Sequence, residues 1–421
     1  MDVARSLPMM PCARPAERRV RVCVSTYAPG QGGLQSVTSN VCRYLMRAGF
    51  DVTPVYLANP VGVRRLLSYL WSSRPRRESA WGTEGIAVDH FAHLEVFQHL
   101  VPAFKVRKAL RGFDAYQVIR GGNLGESFFA LSGYPFVDWV GTTIADERRT
   151  QTWSRGPHPK GSRLLAVANR ATYRLLLKQE GWMLKRAARV CAVSRYTRDR
   201  IVEAHGLPMT NLDVIPNPID TERFTPAPNG AQRSHGRSLL CVGRLDDPRK
   251  NLGLLLEAFS RLCGSVPGVT LKLVGPLDRP EWLTGRLAAL GITGAVVHLG
   301  GVNLERLVRL YQEVDVVVLS SRQEGFGMVL AEAMACGTPV VATRCGGPED
   351  VVRDGETGFL VPCDDPITMA NAIEQLLVDD RLRHRMGEAA RAHVCQSFSL
   401  DVVGAKILDV YRRVYPGLEV E

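Results

Sequence analysis

The sequence predicts an α/β protein of two domains, each a mostly parallel sheet covered by helices. Three observations carry this. Residues 314–343 read as strand, glycine loop, helix and strand, and residues 20–55 repeat that order. At 421 residues the chain has room for two cores of ordinary size, and a shift to Pro, Asn, Gly, Ser and Arg over 225–237 separates them. The expected division is a disordered leader over 1–19, a first domain over 20–224, a linker over 225–237, a second domain over 238–398, and a final helix with tail over 399–421.

In the leader, Arg5, Arg14, Glu17, Arg18 and Arg19 stand among Pro8, Pro11 and Pro15, without the apolar core of a signal peptide. Val20 to Ser25 reads as the first strand. A helix follows the loop after it, with Val37, Val41, Leu45 and Met46 near one face and Gly49 past its end. With the strand from Gly49 to Val55 this opens a βαβ unit. Gly32 and Gly33, at the helix start, suit a phosphate contact, though such a pair also makes an ordinary turn. Residues 61–77 and 102–113 mix basic and apolar side chains, among them Arg64, Arg65, Tyr69, Trp71, Arg76 and Arg77. Such segments lie in a membrane interface or form surface helices on the domain core. Buried strands are expected over Phe113–Ile119 and Tyr134–Thr143, then an arginine-rich insertion over 151–178. Ser194 is a good N-cap for a helix from Tyr196 to Glu203.

The second domain opens on the strand Leu239 to Leu245. Arg244 at its end and Lys250 six residues on can converge on one diphosphate, the arginine as a planar fork and the lysine as a point charge. Strands follow over 271–276 and 296–302, and backbone groups around Val302 can line a base. After the β-branched run Val314 to Leu319, Gly325 and Gly327 loosen the chain. Met328 to Cys336 is helix-forming, and Gly337 with Pro339 stops it. A helix start after a glycine loop presents free N–H groups and a positive dipole end to an anion. Glu332 lies one turn inside, placed to accept from vicinal hydroxyls such as a ribose. Glu324 precedes the loop at the carboxyl end of the strand, where open parallel sheets bind ligands. Helices over 367–378, 380–395 and 399–415 close the chain.

Two glutamates with seven residues between them around Gly-Phe-Gly, preceded by Arg244 and Lys250, resemble the donor-site signature of the retaining glycosyltransferases of family 4. The resemblance runs from about Val20 to Tyr415 and is strongest after Ile215. It implies the GT-B fold: two Rossmann-like domains facing across a cleft, with the C-terminal helix crossing back to the first. It also implies transfer of a hexosyl-type sugar from a nucleoside diphosphate sugar to the hydroxyl of a glycan, lipid-linked acceptor or small glycoside, with retained configuration. Glu324, Arg244 and Lys250 take the catalytic roles on this reading. Gly32, Gly33, Val302, Gly325, Phe326, Gly327, Met328, Val329 and Glu332 join them in binding the donor. No cofactor is implied, because Arg244 and Lys250 stand in for a metal at the departing diphosphate. No nucleophile is evident, which favours front-face attack. One departure matters: many members carry a histidine after the strand matching 134–143, and residues 135–147 contain none. The acceptor side then falls to Thr142, Thr143, Asp146 and Glu147, of which the last two equally suit a helix cap. An epimerase or hydrolase on the same fold, or a non-catalytic anion-binding protein, is the alternative.

A net charge of +11 and a pI near 9.3 point to anionic partners or to an arginine-rich proteome. No nucleic-acid motif accompanies the charge. The expected partners are therefore the nucleotide sugar, the acceptor and an anionic membrane surface, with oligomeric state left open. No apolar run reaches spanning length. The ten cysteines form no Cys-x-x-Cys pair and read as buried thiols of a reducing compartment, which places the chain in the cytoplasm, on the inner membrane face if the basic segments bind lipid. His90 and His93 lack a third ligand, so no metal site is expected.

Overall fold

A computed structural model of the chain describes residues 19–27, 32–61, 75–91, 110–122, 127–148, 163–228 and 237–418. The leader, save Arg19, lies outside these residues, as do 229–236 of the expected linker and most of the basic, apolar segments. The first sheet holds β1 (Arg21–Tyr27), β2 (Asp51–Val61), β3 (Arg76–Ala80), β4 (Thr83–Phe91), β5 (Ala115–Arg120), β6 (Val137–Val140), β7 (Arg189–Ala192) and β8 (Leu212–Val214). Their order is β3-β4-β2-β1-β5-β6-β7-β8, parallel everywhere except between β3 and β4. The second sheet, wholly parallel, runs β11-β10-β9-β12-β13-β14 from β9 (Ser238–Val242), β10 (Thr270–Val274), β11 (Val296–His298), β12 (Val316–Leu319), β13 (Val340–Thr343) and β14 (Gly358–Val361). Every residue of β5, β6, β12 and β13 is buried, as expected of strands covered on both faces.

Strand order reverses beside β1 in the first sheet and beside β9 in the second. Crevices of this kind, at the carboxyl ends of the strands, are where such sheets take ligands. Helices α1 (Gly33–Arg47), α2 (Arg163–Arg186) and α3 (Arg195–His205) belong to the first domain. The second carries α4 (Leu252–Ser265), α5 (Pro280–Leu290), α6 (Leu304–Glu313), α7 (Met328–Ala335), α8 (Pro366–Val378) and α9 (Asp380–Phe398). The last helix, α10 (Leu400–Val414), crosses back as expected. Its Gly404 lies so close to α1 that an added Cβ would sit 2.2 Å from the Tyr44 ring. The Tyr415 hydroxyl just past α10 accepts from the Tyr116 N–H at 2.9 Å and reaches the Pro135 carbonyl at 3.0 Å.

The chain passes between domains over 217–224 under close control. The Pro218 carbonyl accepts from Asn40 on α1 at 2.8 Å, and the Ile219 N–H donates to the Phe398 carbonyl at 2.7 Å. Arg391 on α9 donates to the carbonyls of Thr221 and Phe224 at 3.0 and 2.6 Å and to that of Ala335 at 2.8 Å. A cation thus sits at the carboxyl end of α7, where the dipole favours it, and holds the crossover to the same helix.

The sequence reading missed the hairpin of β3 and β4. Arg76 and Arg77 lie on β3 and pair with Glu78 at 3.1 Å and Glu84 at 2.7 Å, so these two positions are not on a lipid-facing helix. Among the described residues no helix is long and apolar enough to cross a membrane.

Candidate active site

Glu324 follows β12 and makes a parallel bridge to Gly346. Its N–H donates to the Cys345 carbonyl at 3.2 Å, and its carbonyl accepts from Gly347 at 2.8 Å. The side chain accepts from the Ser321 hydroxyl at 2.8 Å and pairs directly with the Lys250 ammonium. Lys250 ends a short turn started by Asp247 and Pro248. Its stem lies over Gly243, where an added Cβ would meet Cε at 3.3 Å, so the glycine lets the lysine cross the end of β9. The structure therefore brings Lys250 and Glu324 together, each mostly but not wholly shielded from solvent.

Arg244 is placed differently from expectation. It does not join Lys250 but pairs with Asp247 at 3.0 Å, and its side chain is 66% exposed. Arg249, which the sequence reading passed over, is the better-shielded cation; its guanidinium grips Asp247 at 2.6 to 3.0 Å. Burial raises the Asp247 carboxyl, but the bonds from Arg249 outweigh this and hold it below its ordinary range. The order Asp-Pro-Arg, a capping acid before a first-turn proline, was the available signal for this clamp.

Gly327, at φ +95°, opens α7, and Gly32, at φ +124°, opens α1; neither start carries a side-chain cap. A Cβ added to Gly33 would lie 3.4 Å from Met328 Cγ, so the two helix starts face one another, one from each domain. Their positive ends make one region suited to an anion. Met328 and Val329 are half-buried there. Phe326 departs from expectation: its ring is buried edge-on against Phe398 at 5.5 Å, and only its backbone remains in the loop.

Glu332 lies on α7 with its side chain buried, and one oxygen accepts from the Tyr311 hydroxyl at 2.9 Å. Burial pushes its carboxyl up to about 7, against the opposing pull of that bond. Tyr311, a partner invisible in the sequence, sits on α6. Val302 follows β11 and is half-buried against the core that includes Leu330.

On the first-domain side, two of the four expected acceptor residues are spent on structure. Thr143 and Asp146 cap the short helix after β6: the Thr143 hydroxyl accepts from the Asp146 N–H at 3.2 Å and donates to its carboxylate at 3.1 Å. Arg200 also donates to Asp146 at 2.9 Å. Thr142 faces the second domain, accepting from Gln323 at 3.4 Å. Glu147 accepts from the Gly122 N–H at 3.1 Å. Beneath this loop lies a buried ionic group that sequence reasoning missed. The Arg120 Nε–H is shared between the two Asp138 oxygens at 3.0 and 3.1 Å, and Nη1 donates to Glu180 at 3.1 Å. Glu180 also contacts His205 at 2.9 Å and accepts from the Ile144 N–H at 3.2 Å, fixing the loop from below.

Comparison with known proteins adds the following. Residues 228–393 match the family described as glycosyl transferases group 1, and residues 31–223 match glycosyltransferase family 4. A GDP-mannose-dependent alpha-(1-6)-phosphatidylinositol monomannoside mannosyltransferase of Mycolicibacterium smegmatis is 34% identical over 235 residues, 52% of this chain and 61% of the relative. A D-inositol 3-phosphate glycosyltransferase of Salinispora arenicola is 32% identical over 59% of each chain. The match therefore spans about three-fifths of these curated relatives. Among solved structures, sucrose-phosphate synthase from Thermosynechococcus elongatus superposes with a TM-score of 0.75 at 19% identity, over 95% of this chain and all of that one. Anabaena HepE in complex with UDP and glucose gives 0.72 at 20% identity, over 94% of this chain and all of that one.

Proposed function

Since the chain belongs to the family 4 glycosyltransferases of GT-B fold, we propose that it moves a hexosyl unit from a nucleoside diphosphate sugar to an acceptor hydroxyl with retained configuration. One observation carries this reading. The Lys250–Glu324 pair stands beside two uncapped helix starts, one from each domain. A diphosphate there meets the dipole ends of α1 and α7 and the ammonium of Lys250. Arg244, exposed and paired with Asp247, can swing onto the same phosphates. Neutralising the leaving group in this way leaves no step that requires a metal ion.

Binding the diphosphate draws Lys250 away from Glu324, and the freed carboxylate orients the sugar by its hydroxyls. Glu332 holds the ribose. The acceptor enters from the first-domain side by Thr142 and Glu147 and attacks the face that the leaving group departs from. The relatives named for mannosyl transfer to phosphatidylinositol mannosides and for D-inositol 3-phosphate support a hexosyl donor and a polyol or lipid-linked acceptor. A cytoplasmic chain working on such a lipid would meet the inner membrane face, and its net charge of +11 suits an anionic surface. The test is transfer from UDP- and GDP-hexoses to inositol phosphate and phosphatidylinositol acceptors in excess chelator, with the linkage read by NMR. An inverted product, or activity lost to chelator and restored by a divalent ion, would overturn the proposed chemistry.

A further inference from the structure

The start of α3 is docked onto the donor loops, and Ser194 is its centre. The Ser194 hydroxyl accepts from the Thr197 N–H at 3.0 Å, which caps the helix, and donates to the Gly325 carbonyl of the second domain at 2.6 Å. Ser194 and Thr197 are both buried, and the Thr197 hydroxyl lies 3.4 Å from the carbonyls of Gly325 and Gly141. Arg195 pairs with Asp350 at 2.6 Å. Tyr196 lies flush against Gly346, where an added Cβ would meet the ring at 2.7 Å. Gly325 itself has no room toward the first domain, since a Cβ there would fall 1.9 Å from the Gly141 carbonyl. Four consecutive residues of one domain thus touch the other: Ser194 and Thr197 meet the loop that leads from Glu324 into α7, and Arg195 and Tyr196 meet the segment after β13 at Asp350 and Gly346.

We infer that Ser194 is a positioning residue for transfer: it ties the Gly325 carbonyl to the first domain, so that the donor loop takes its working shape only when the domains are closed. This deepens the transferase reading above and rests on it for its kinetic consequence. The physical basis is the planar peptide. Anchoring the Gly325 oxygen fixes the plane of the Gly325–Phe326 bond, and with it the chain that leads from Glu324 into α7. A serine hydroxyl can cap the helix and reach across the cleft at once because it accepts with a lone pair while donating its proton. A residue serving only as a cap needs no proton to give.

That difference supplies the test. Ser194→Asp keeps an acceptor for the Thr197 N–H but has nothing to donate to Gly325. Ser194→Thr keeps both bonds. Gly325→Ala is outside the left-handed backbone region, so its strain comes from the contact with Gly141. The full chain and its variants are compared by melting temperature, by small-angle scattering alone and with UDP or GDP, and by donor kinetics. Ser194→Asp should still melt cooperatively, at a lower temperature because a carboxylate enters a buried site, show a larger radius of gyration in at least one of those states, and lose about tenfold or more in kcat with a smaller change in donor KM. Ser194→Thr should restore both, and Gly325→Ala should reproduce the expansion. If Ser194→Asp scatters and turns over like the parent, the hydroxyl is a cap alone and the inference is overturned. If the parent transfers no sugar but Ser194→Asp still expands it, the transferase reading fails while the domain tie stands.

Discussion

Glu180 in the first domain and Glu332 in the second are both buried carboxylates, and their surroundings treat them in opposite ways. Burial alone raises Glu180, but the bond from His205 and the charge of Arg120 outweigh it and hold the carboxyl below its ordinary value. Glu332 has only the neutral Tyr311 hydroxyl, and burial wins, at about 7. One charge is complete in the free chain; the other has, among the described residues, the Tyr311 hydroxyl as its donor and no cationic partner. The lesson is that a shielded acid with cationic partners builds the scaffold, whereas one without them marks a place for a ligand.

The sharpest way to break this comparison is to truncate each acid. Glu180→Ala leaves Arg120 short of one of its two acids, and losing one partner of a buried pair costs about 3–5 kcal/mol. Urea denaturation should register that loss, while nucleotide affinity should change far less, since Glu180 contacts Arg120, His205 and the Ile144 N–H beneath the loop after β6 rather than the starts of α1 and α7. Glu332→Gln should reverse the pattern, with stability kept and nucleotide affinity reduced. Acid should also separate the two. The depressed Glu180 contributes stability above its unfolded value near 4.5 that is lost as pH falls through its lower folded value. The raised Glu332 contributes most below 4.5, and its share is lost as pH climbs through about 7.

The next effect in size concerns the residues to which the proposal gives the chemistry. Glu324→Gln should cut turnover by about a hundredfold or more, because it removes a charge that acts on the reacting sugar, with nucleotide affinity changed far less. A variant with unchanged rate would detach Glu324 from the chemistry. Arg244→Ala should cost about tenfold in donor binding, in line with one charge-assisted hydrogen bond of roughly 1.5–3 kcal/mol. Its exposure and its Asp247 partner make this the smaller of the two. A double variant with Lys250→Ala and undiminished nucleotide affinity would remove the diphosphate assignment.

Legibility in the sequence follows the same division. The donor side is written in consecutive residues: Arg244 and Lys250 lie six apart, and Glu324 through Glu332 form one strand-loop-helix, so backbone chemistry announces them. The crossing helix and the Ser194 cap were equally readable, because caps and stops act within a few residues. The buried ionic group of the first domain joins Arg120, Asp138, Glu180 and His205, a set scattered over 86 positions of sequence, and only the sheet, α2 and α3 bring them together. Composition misled at Arg76 and Arg77, which lie on the edge strand β3 and pair with Glu78 and Glu84 rather than facing lipid from a helix. Phe326 failed for another reason. Sequence assigns a loop position, but the choice between ligand and core belongs to the side-chain rotamer, and here Phe398 decides it.

The smallest and most diagnostic effect is a fraction of a proton. If ribose hydroxyls donate to Glu332, they stabilise its charged form, and the carboxyl must fall from about 7 toward its ordinary range when nucleotide binds. At pH 6 to 7 part of the population carries that proton in the free chain and releases it in the complex; at pH 8.5 hardly any remains to release. Calorimetric titration of UDP or GDP in buffers of different ionisation enthalpy reads this directly. The parent should release a proton fraction that shrinks as pH rises past 7, and Glu332→Gln should remove that part of the signal. Proton uptake on binding, or a release that Glu332→Gln leaves intact, would place the ribose elsewhere and return Glu332 to the core with Tyr311.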